Sequence, residues 1–146
     1  MVGILIISHG RLAEALISSA QALVGNLRRI TGVSIWPKDK KGEIKDRIQK
    51  KIEEMDDGDG VVVLTDIPGG TSANLGLSLM ERRKAELVTG VNIPMLLTLL
   101  SYREGKSLEE LGKLVKKSGR RSIILAKEVF SLKRGRRQKD RTPFIQ

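Results

Sequence analysis

The chain has 146 residues, 40% hydrophobic and 30% charged, with a net charge of +10, which is the size and make-up of one globular domain able to bury a core. It has no cysteine and a single histidine, which excludes a disulfide framework, a cysteine-type zinc site and a thiol nucleophile, and leaves a transition metal without its usual ligands. No apolar stretch approaches the roughly 18 residues of a membrane span, and the N-terminus lacks the basic region, long apolar segment and cleavage site of a signal peptide, so the expected location is the cytoplasm.

Aromatic residues make up only 3% of the chain, so a core must be built from Ile, Leu, Val and Ala. Val2 to Ile7 is a continuous apolar run, the pattern of a strand covered on both faces. Leu12, Leu16, Ala20 and Leu23 recur at helical spacing, and Gly25 is placed to end that helix. Val33 and Ile35, before the turn at Pro37, mark a second strand. Ile44, Ile48, Ile52 and Met55 form the apolar stripe of a second helix. The turn cluster Asp56-Asp57-Gly58-Asp59-Gly60 leads into a third strand, Val61 to Thr65.

Leu75, Leu79 and Met80 mark a third helix, and a short strand at Glu86 to Thr89 ends in Gly90. Met95 to Leu100 reads as a short buried helix started by Pro94. Ser107 with Glu110 fits a capping box ahead of Leu108, Leu111, Leu114 and Val115. Gly119 is placed to stop that helix, and Ser122 to Ala126 reads as a last apolar strand. No internal repeat or interdomain linker interrupts the series. Strands alternating with helices predict an α/β fold with a mostly parallel central sheet and helices on both faces. Its crossovers should be right-handed.

The domain is expected over residues 1–127, with 128–146 a basic, flexible tail. Lys133, Arg134, Arg136, Arg137, Lys139 and Arg141 stand there against Asp140 alone, so residues 133–146 carry half of the net charge. Such a segment can be an electrostatic arm for nucleic acid, anionic lipid or an acidic partner, or simply a solvated terminus. No aromatic residue interleaves its charges and no nucleic-acid motif accompanies it, so nucleic acid is not the expected partner.

Two strands deliver reactive side chains to their C-terminal ends, the edge where open α/β sheets bind ligands. The first ends in Ser8-His9-Gly10, the third in Asp66-Ile67-Pro68-Gly69-Gly70-Thr71-Ser72. An imidazole with an ordinary pKa near ~6.5 is largely neutral at cytoplasmic pH, and hence nucleophilic, so His9 can accept and pass on a phosphoryl group. It could equally do no more than end a strand. Asp66 can accept the second imidazole N–H and fix the tautomer, the role of the carboxylate in hydrolase triads, or it can cap the turn before Pro68. Gly69 and Gly70 would let backbone N–H groups approach phosphoryl oxygens at a helix N-terminus, with the hydroxyls of Thr71 and Ser72 adding donors. The same residues make an ordinary turn and N-cap. Arg11 either attracts a phosphorylated partner or lies in solvent, and Ser8 is either a donor near the site or a turn residue. Neither a Walker-type loop nor a G-x-S-x-G elbow is present.

Three separated blocks, Ile7-Ser8-His9-Gly10, Asp66-Ile67-Pro68-Gly69-Gly70-Thr71-Ser72-Ala73-Asn74 and Thr89-Gly90-Val91-Asn92-Ile93-Pro94-Met95-Leu96, together resemble the enzyme IIA domain of the mannose-type sugar phosphotransferase system over residues 1–127. The resemblance implies an α/β sandwich that forms a homodimer by exchanging its C-terminal strand. It implies that His9 takes a phosphoryl group from the phosphohistidine of HPr and hands it to a IIB protein. Asp66 would hydrogen-bond the imidazole. Gly69, Gly70 and Thr71 fall on the family's Gly-Gly-Ser, facing the phosphoryl group, and Ser72 follows them. No metal or organic cofactor is implied, and contact with a membrane would be indirect, through IIC and IID permease subunits.

Thr71 keeps the hydroxyl of the family's Ser, whereas Ser72 and Pro68 depart from its pattern and bear on partner choice. A related phosphotransfer fold supplies the phosphoryl donor of dihydroxyacetone kinase, but the Gly-Gly and Asn-Ile-Pro blocks look more like the sugar-transport branch. The alternative function is regulatory, the phosphorylation state of the domain controlling a binding partner rather than feeding transport.

Overall fold

The computed structural model describes residues 1–68, 78 and 84–129. The elements run β1 (Gly3–His9), α1 (Leu12–Val24), β2 (Ile30–Ile35), α2 (Lys41–Met55), β3 (Val61–Thr65), β4 (Ala85–Thr89), α3 (Ile93–Tyr102) and α4 (Leu108–Arg121). The strands form one parallel sheet in the order β2-β1-β3-β4. β1 is therefore central, flanked by β2 and β3, and all its residues from Gly3 to Ser8 are buried.

Alternation along the strands divides the core in two. Ile4, Ile6, Val62 and Leu64 face one side, where Ala13, Leu16 and Ala20 of α1, Met95, Leu96 and Leu99 of α3, and Leu111 and Val115 of α4 cover them. Leu5, Ile7, Val33, Ile35, Val61 and Val63 face the other, where Ile44, Ile48 and Ile52 of α2 close the layer. Residues two apart share a face of a strand, and residues four apart share a face of a helix. That is how continuous apolar runs and spaced isoleucines become a three-layer sandwich with helices on both faces, as the sequence predicts.

The helix ends carry local signals that hold. Ser107 and Glu110 form the reciprocal capping box at the start of α4. α3 starts with Pro94 in its first turn, and the Asn92 side chain caps it by accepting from the Met95 N–H at 3.0 Å. The Asn92 amide also donates to the Gly119 carbonyl at 3.3 Å, tying α3 to α4. Arg103, just past α3, is buried and donates to the carbonyls of Val2, Arg28 and Arg29. It fastens the N-terminal edge of the sheet with its fork of donors.

Two expectations are corrected. α4 does not stop at Gly119 but continues to Arg121. Gly119 serves instead as a contact point, since a Cβ there would stand 2.7 Å from Cγ and Sδ of Met95. Ser122 to Ala126 is not a strand. Residues 123–125 are irregular and 126–129 turn helical, with Ile123 80% and Leu125 60% exposed. An apolar run becomes a strand only where a neighbour completes its ladder, and this one has no strand beside it among the described residues. The third helix expected around Leu75, Leu79 and Met80 lies outside the described residues, as do residues 130–146 of the tail expected over 128–146; Glu128 and Val129 are instead helical, and Val129 is buried.

Candidate functional site at the carboxyl edge of the sheet

The parallel order brings the ends of β1 and β3 side by side, with Ile7 paired to Thr65. His9 and Asp66, 57 positions apart in sequence, therefore meet at this edge. Oδ2 of Asp66 lies 2.9 Å from Nδ1 of His9 and also accepts the His9 main-chain N–H at 2.9 Å. Its Oδ1 accepts the Ile67 N–H at 2.9 Å. The carboxylate is recessed and the imidazole is not, their side chains being 13% and 59% exposed. Burial pushes the Asp66 carboxyl up. The His9 N–H, the imidazole and the Ile67 N–H outweigh it and hold the group below its ordinary value near 3.8.

An ionised Asp66 is a pure acceptor, so Nδ1 of His9 is the nitrogen that carries the proton in the neutral ring. Nε2 is then left with the lone pair and stands on the exposed side chain. Such an arrangement presents an anchored ring with one accessible nitrogen and a nearby negative charge able to stabilise a cation developing on the imidazole.

Gly10 holds the exit from β1. Its φ of +60° favours glycine, and its N–H donates to the Ile35 carbonyl at 3.0 Å. Ser8, a β1 residue rather than a turn residue, has a buried hydroxyl that accepts the Ala13 N–H at 2.7 Å and so serves the first turn of α1. Arg11 is exposed at the N-cap of that helix. Trp36 is not picked out by the strand pattern, yet it stands beside the site. Its ring comes within 3.9 Å of where a Cβ on Gly10 would be. The available signal was its position, the only tryptophan of the chain, directly after β2. Gly69, Gly70, Thr71 and Ser72 lie outside the described residues. Among the described residues no group of three or more His, Cys, Asp or Glu could hold a metal ion, and no helix is long and apolar enough to cross a membrane.

Comparison with known proteins places the chain in a family. The family model for the fructose IIA component of the phosphotransferase system, EIIA-man, matches residues 3–116. The chain is 28% identical over 124 residues to the mannose-specific EIIAB component of Escherichia coli strain K12, covering 84% of this chain but only 38% of that protein. It is 26% identical to the fructose-specific EIIA component of Bacillus subtilis, with 88% of both chains covered. Among solved structures it is similar to the IIA protein associated with the fucose utilization operon of Streptococcus pneumoniae. The TM-score there is 0.75 and the identity 29%, over 88% of this chain and 98% of that one. A phosphotransferase component EIIA from Streptococcus agalactiae shares the fold at a TM-score of 0.78 and 23% identity, over 88% and 99% of the two chains. The chain belongs to the EIIA-man family of phosphotransferase-system IIA components.

Proposed function

We propose that the chain is a phosphohistidine carrier, taking a phosphoryl group from phospho-HPr on His9 and passing it to a separate IIB protein. The observation that carries this reading is the contact between Nδ1 of His9 and Oδ2 of Asp66 at 2.9 Å, which leaves Nε2 on an exposed ring. Nε2 attacks the phosphorus, its lone pair forms the new N–P bond, and the bond to the donor's imidazole breaks with its electron pair returning to that ring. The His9 ring gains positive character while Nδ1 keeps its proton, and Asp66 balances it. The onward step runs the same exchange in reverse on the IIB side. Backbone N–H groups at Gly69 and Gly70, with the hydroxyls of Thr71 and Ser72, are proposed to bind the phosphoryl oxygens. Positioning and charge stabilisation dominate a transfer of this kind, and no metal is required because the donor is already a phosphoprotein.

Residues 1–127 form the carrier domain in this reading, 128–146 a basic tail, and the protein works in the cytoplasm as a homodimer. Exposure of Ile123 and Leu125 supports the dimer, because a second copy offers the segment at 122–126 the strand partner that no strand among the described residues supplies. The test is labelling by phosphoenolpyruvate, enzyme I and cognate HPr. Acid-labile label on the native chain that is lost in His9→Ala supports the carrier. Label persisting in His9→Ala would remove His9 as the acceptor. An active HPr that labels nothing would leave a regulatory binding role, with the basic tail as its first candidate surface.

A further inference from the structure

The net charge of +10 is confined to one part of the chain. Residues 1–112 balance to zero, and residues 113–146 hold twelve Lys and Arg against Glu128 and Asp140 alone. The first five of these cations, Lys113, Lys116, Lys117, Arg120 and Arg121, stand on α4, and all five are exposed. They recur three or four residues apart and so share one face of the helix, away from the buried Leu111, Val115 and Gly119. Residues outside the described set carry eight Lys and Arg against Glu81 and Asp140, so they add to the positive balance.

Ordinary solvation does not account for this face. α2 interleaves its five cations with Glu43, Asp46, Glu53 and Glu54, the mixture of signs that suffices for solubility. On α4 only Lys113 has a partner, Glu109 at 2.8 Å. The other four make no ion pair among the described residues. Glu110 is used by the capping box, and Glu86 of β4 lies against Gly112. The helix dipole favours cations in the last turn, which are Arg120 and Arg121, and leaves the rest unexplained. Lys113, Lys117 and Arg121 follow one another by one turn, as do Lys116 and Arg120. Like charges at that spacing disfavour a helix, and an anionic surface relieves them.

Beside this face α3 and α4 enclose a groove of about 560 Å³. Pro94, Leu97 and Leu114 line it with apolar surface, and Lys117 and Arg121 line it with charge. Tyr102, 57% exposed, stands at it as well. Apolar walls next to cations suit an amphiphilic anion, and a tyrosine ring favours the headgroup level of a bilayer. A nucleic acid has no aliphatic part to set against the leucines. No aromatic, Asn or Gln side chain stands between Lys113 and Arg121 to stack on its bases or read them.

We propose that the exposed face of α4, with the groove beside it, docks on a membrane surface rich in anionic phospholipid. Lys116, Lys117, Arg120 and Arg121 meet the phosphate groups, and the groove receives the glycerol and upper acyl chain of one lipid. Such a cluster of basic residues on a helix is attracted to an anionic leaflet within a Debye length. The contact is peripheral, involves neither Ile123 nor Leu125, and is independent of phosphoryl transfer at His9.

The test sediments the full chain with vesicles of phosphatidylcholine and phosphatidylglycerol in a ratio of three to one, and with vesicles of phosphatidylcholine alone. Binding to the mixed vesicles at low salt is expected, absent with phosphatidylcholine alone and lost at high salt. Lys117→Glu/Arg121→Glu should weaken it at least about tenfold, whereas Lys41→Glu/Lys45→Glu, the same change of net charge on α2, should weaken it no more than about twofold. Lys116→Gln/Arg120→Gln, which keeps good helix formers on α4, should weaken it about threefold or more. His9→Ala should bind as the native chain does, so the result does not depend on whether the chain carries phosphate. No binding to the mixed vesicles, native binding by both α4 variants, or equal losses in the α2 and α4 reversals overturns the proposal. Tighter binding to a mixed-sequence RNA than to the vesicles, weakened by the α4 variants, also overturns it and makes the partner a nucleic acid.

Discussion

One carboxylate oxygen of Asp66 lies 2.9 Å from both the main-chain nitrogen and the ring Nδ1 of His9, so the same atom fixes where the residue sits and how its imidazole is turned. The other oxygen is occupied by the Ile67 N–H. The orientation of the His9 ring is thereby linked to the end of β3 rather than to its own strand alone.

Asp66→Asn removes the charge that opposes the developing imidazolium and weakens the hold on the tautomer. Phosphoryl transfer to His9 is expected to slow by at least about 10-fold and by up to about 10⁴-fold, the loss when the carboxylate that orients the imidazole of a hydrolase triad becomes an amide. Rapid-quench kinetics with phospho-HPr measures it, with circular dichroism as a check on the fold. Native rates in Asp66→Asn would take the carboxylate out of the mechanism.

The lowered pKa of Asp66 also makes a prediction for stability. A carboxyl bound better as its anion in the folded state adds stability above its ordinary pKa, near 3.8, and that contribution is lost as pH falls through the lower folded value. Native protein should therefore lose more stability than Asp66→Asn on going from about pH 5 to about pH 3. Denaturant midpoints across that range decide it, and parallel acid profiles would contradict the hydrogen-bonded anion.

Ser8→Ala separates a structural from a chemical role next to His9. Its hydroxyl accepts the Ala13 N–H at 2.7 Å in a buried setting, so removal should lower stability by about 1–2 kcal/mol. Transfer to His9 should be unchanged when concentrations of folded protein are matched. A large rate loss in fully folded Ser8→Ala would move Ser8 into the chemistry.

Two glycines of the loop before β3 should respond differently to alanine. Gly60 has φ +84°, and a Cβ there would stand 2.6 Å from Leu108 Cδ1 and 2.9 Å from the Lys84 carbonyl oxygen. Gly60→Ala is expected to lose about 2–4 kcal/mol from backbone strain and overpacking together. Gly58, at φ +113°, would meet nothing within 4 Å, so its alanine variant should lose about 1–2 kcal/mol from the backbone alone. Equal midpoints of urea unfolding for the two would contradict the packing at Gly60.

Most of the fold was legible because it is local. Apolar runs gave β1 and β3, the spacing of Ile44, Ile48 and Ile52 gave α2, and Ser107 with Glu110 marked the start of α4. Pairing is what local pattern lacks. The run at 122–126 has the composition of a strand, but whether it becomes one depends on a neighbour. The meeting of His9 with Asp66 likewise depends on β1 lying beside β3, which the spacing of residues does not encode, although the family resemblance implies it. Trp36 stayed unnoticed because its placement comes from the Asp39 turn and the β1–β2 register rather than from any periodicity.

The central claim is that His9 carries phosphate on the nitrogen that Asp66 leaves unengaged. The most direct measurement is NMR of the uniformly 15N-labelled chain after phosphorylation by phosphoenolpyruvate, enzyme I and HPr, read with 31P, since one histidine gives one set of ring signals. The account predicts a single phosphorus coupled to Nε2, with Nδ1 protonated. Phosphate on Nδ1, or an imidazole unchanged in the presence of active phospho-HPr, would contradict it.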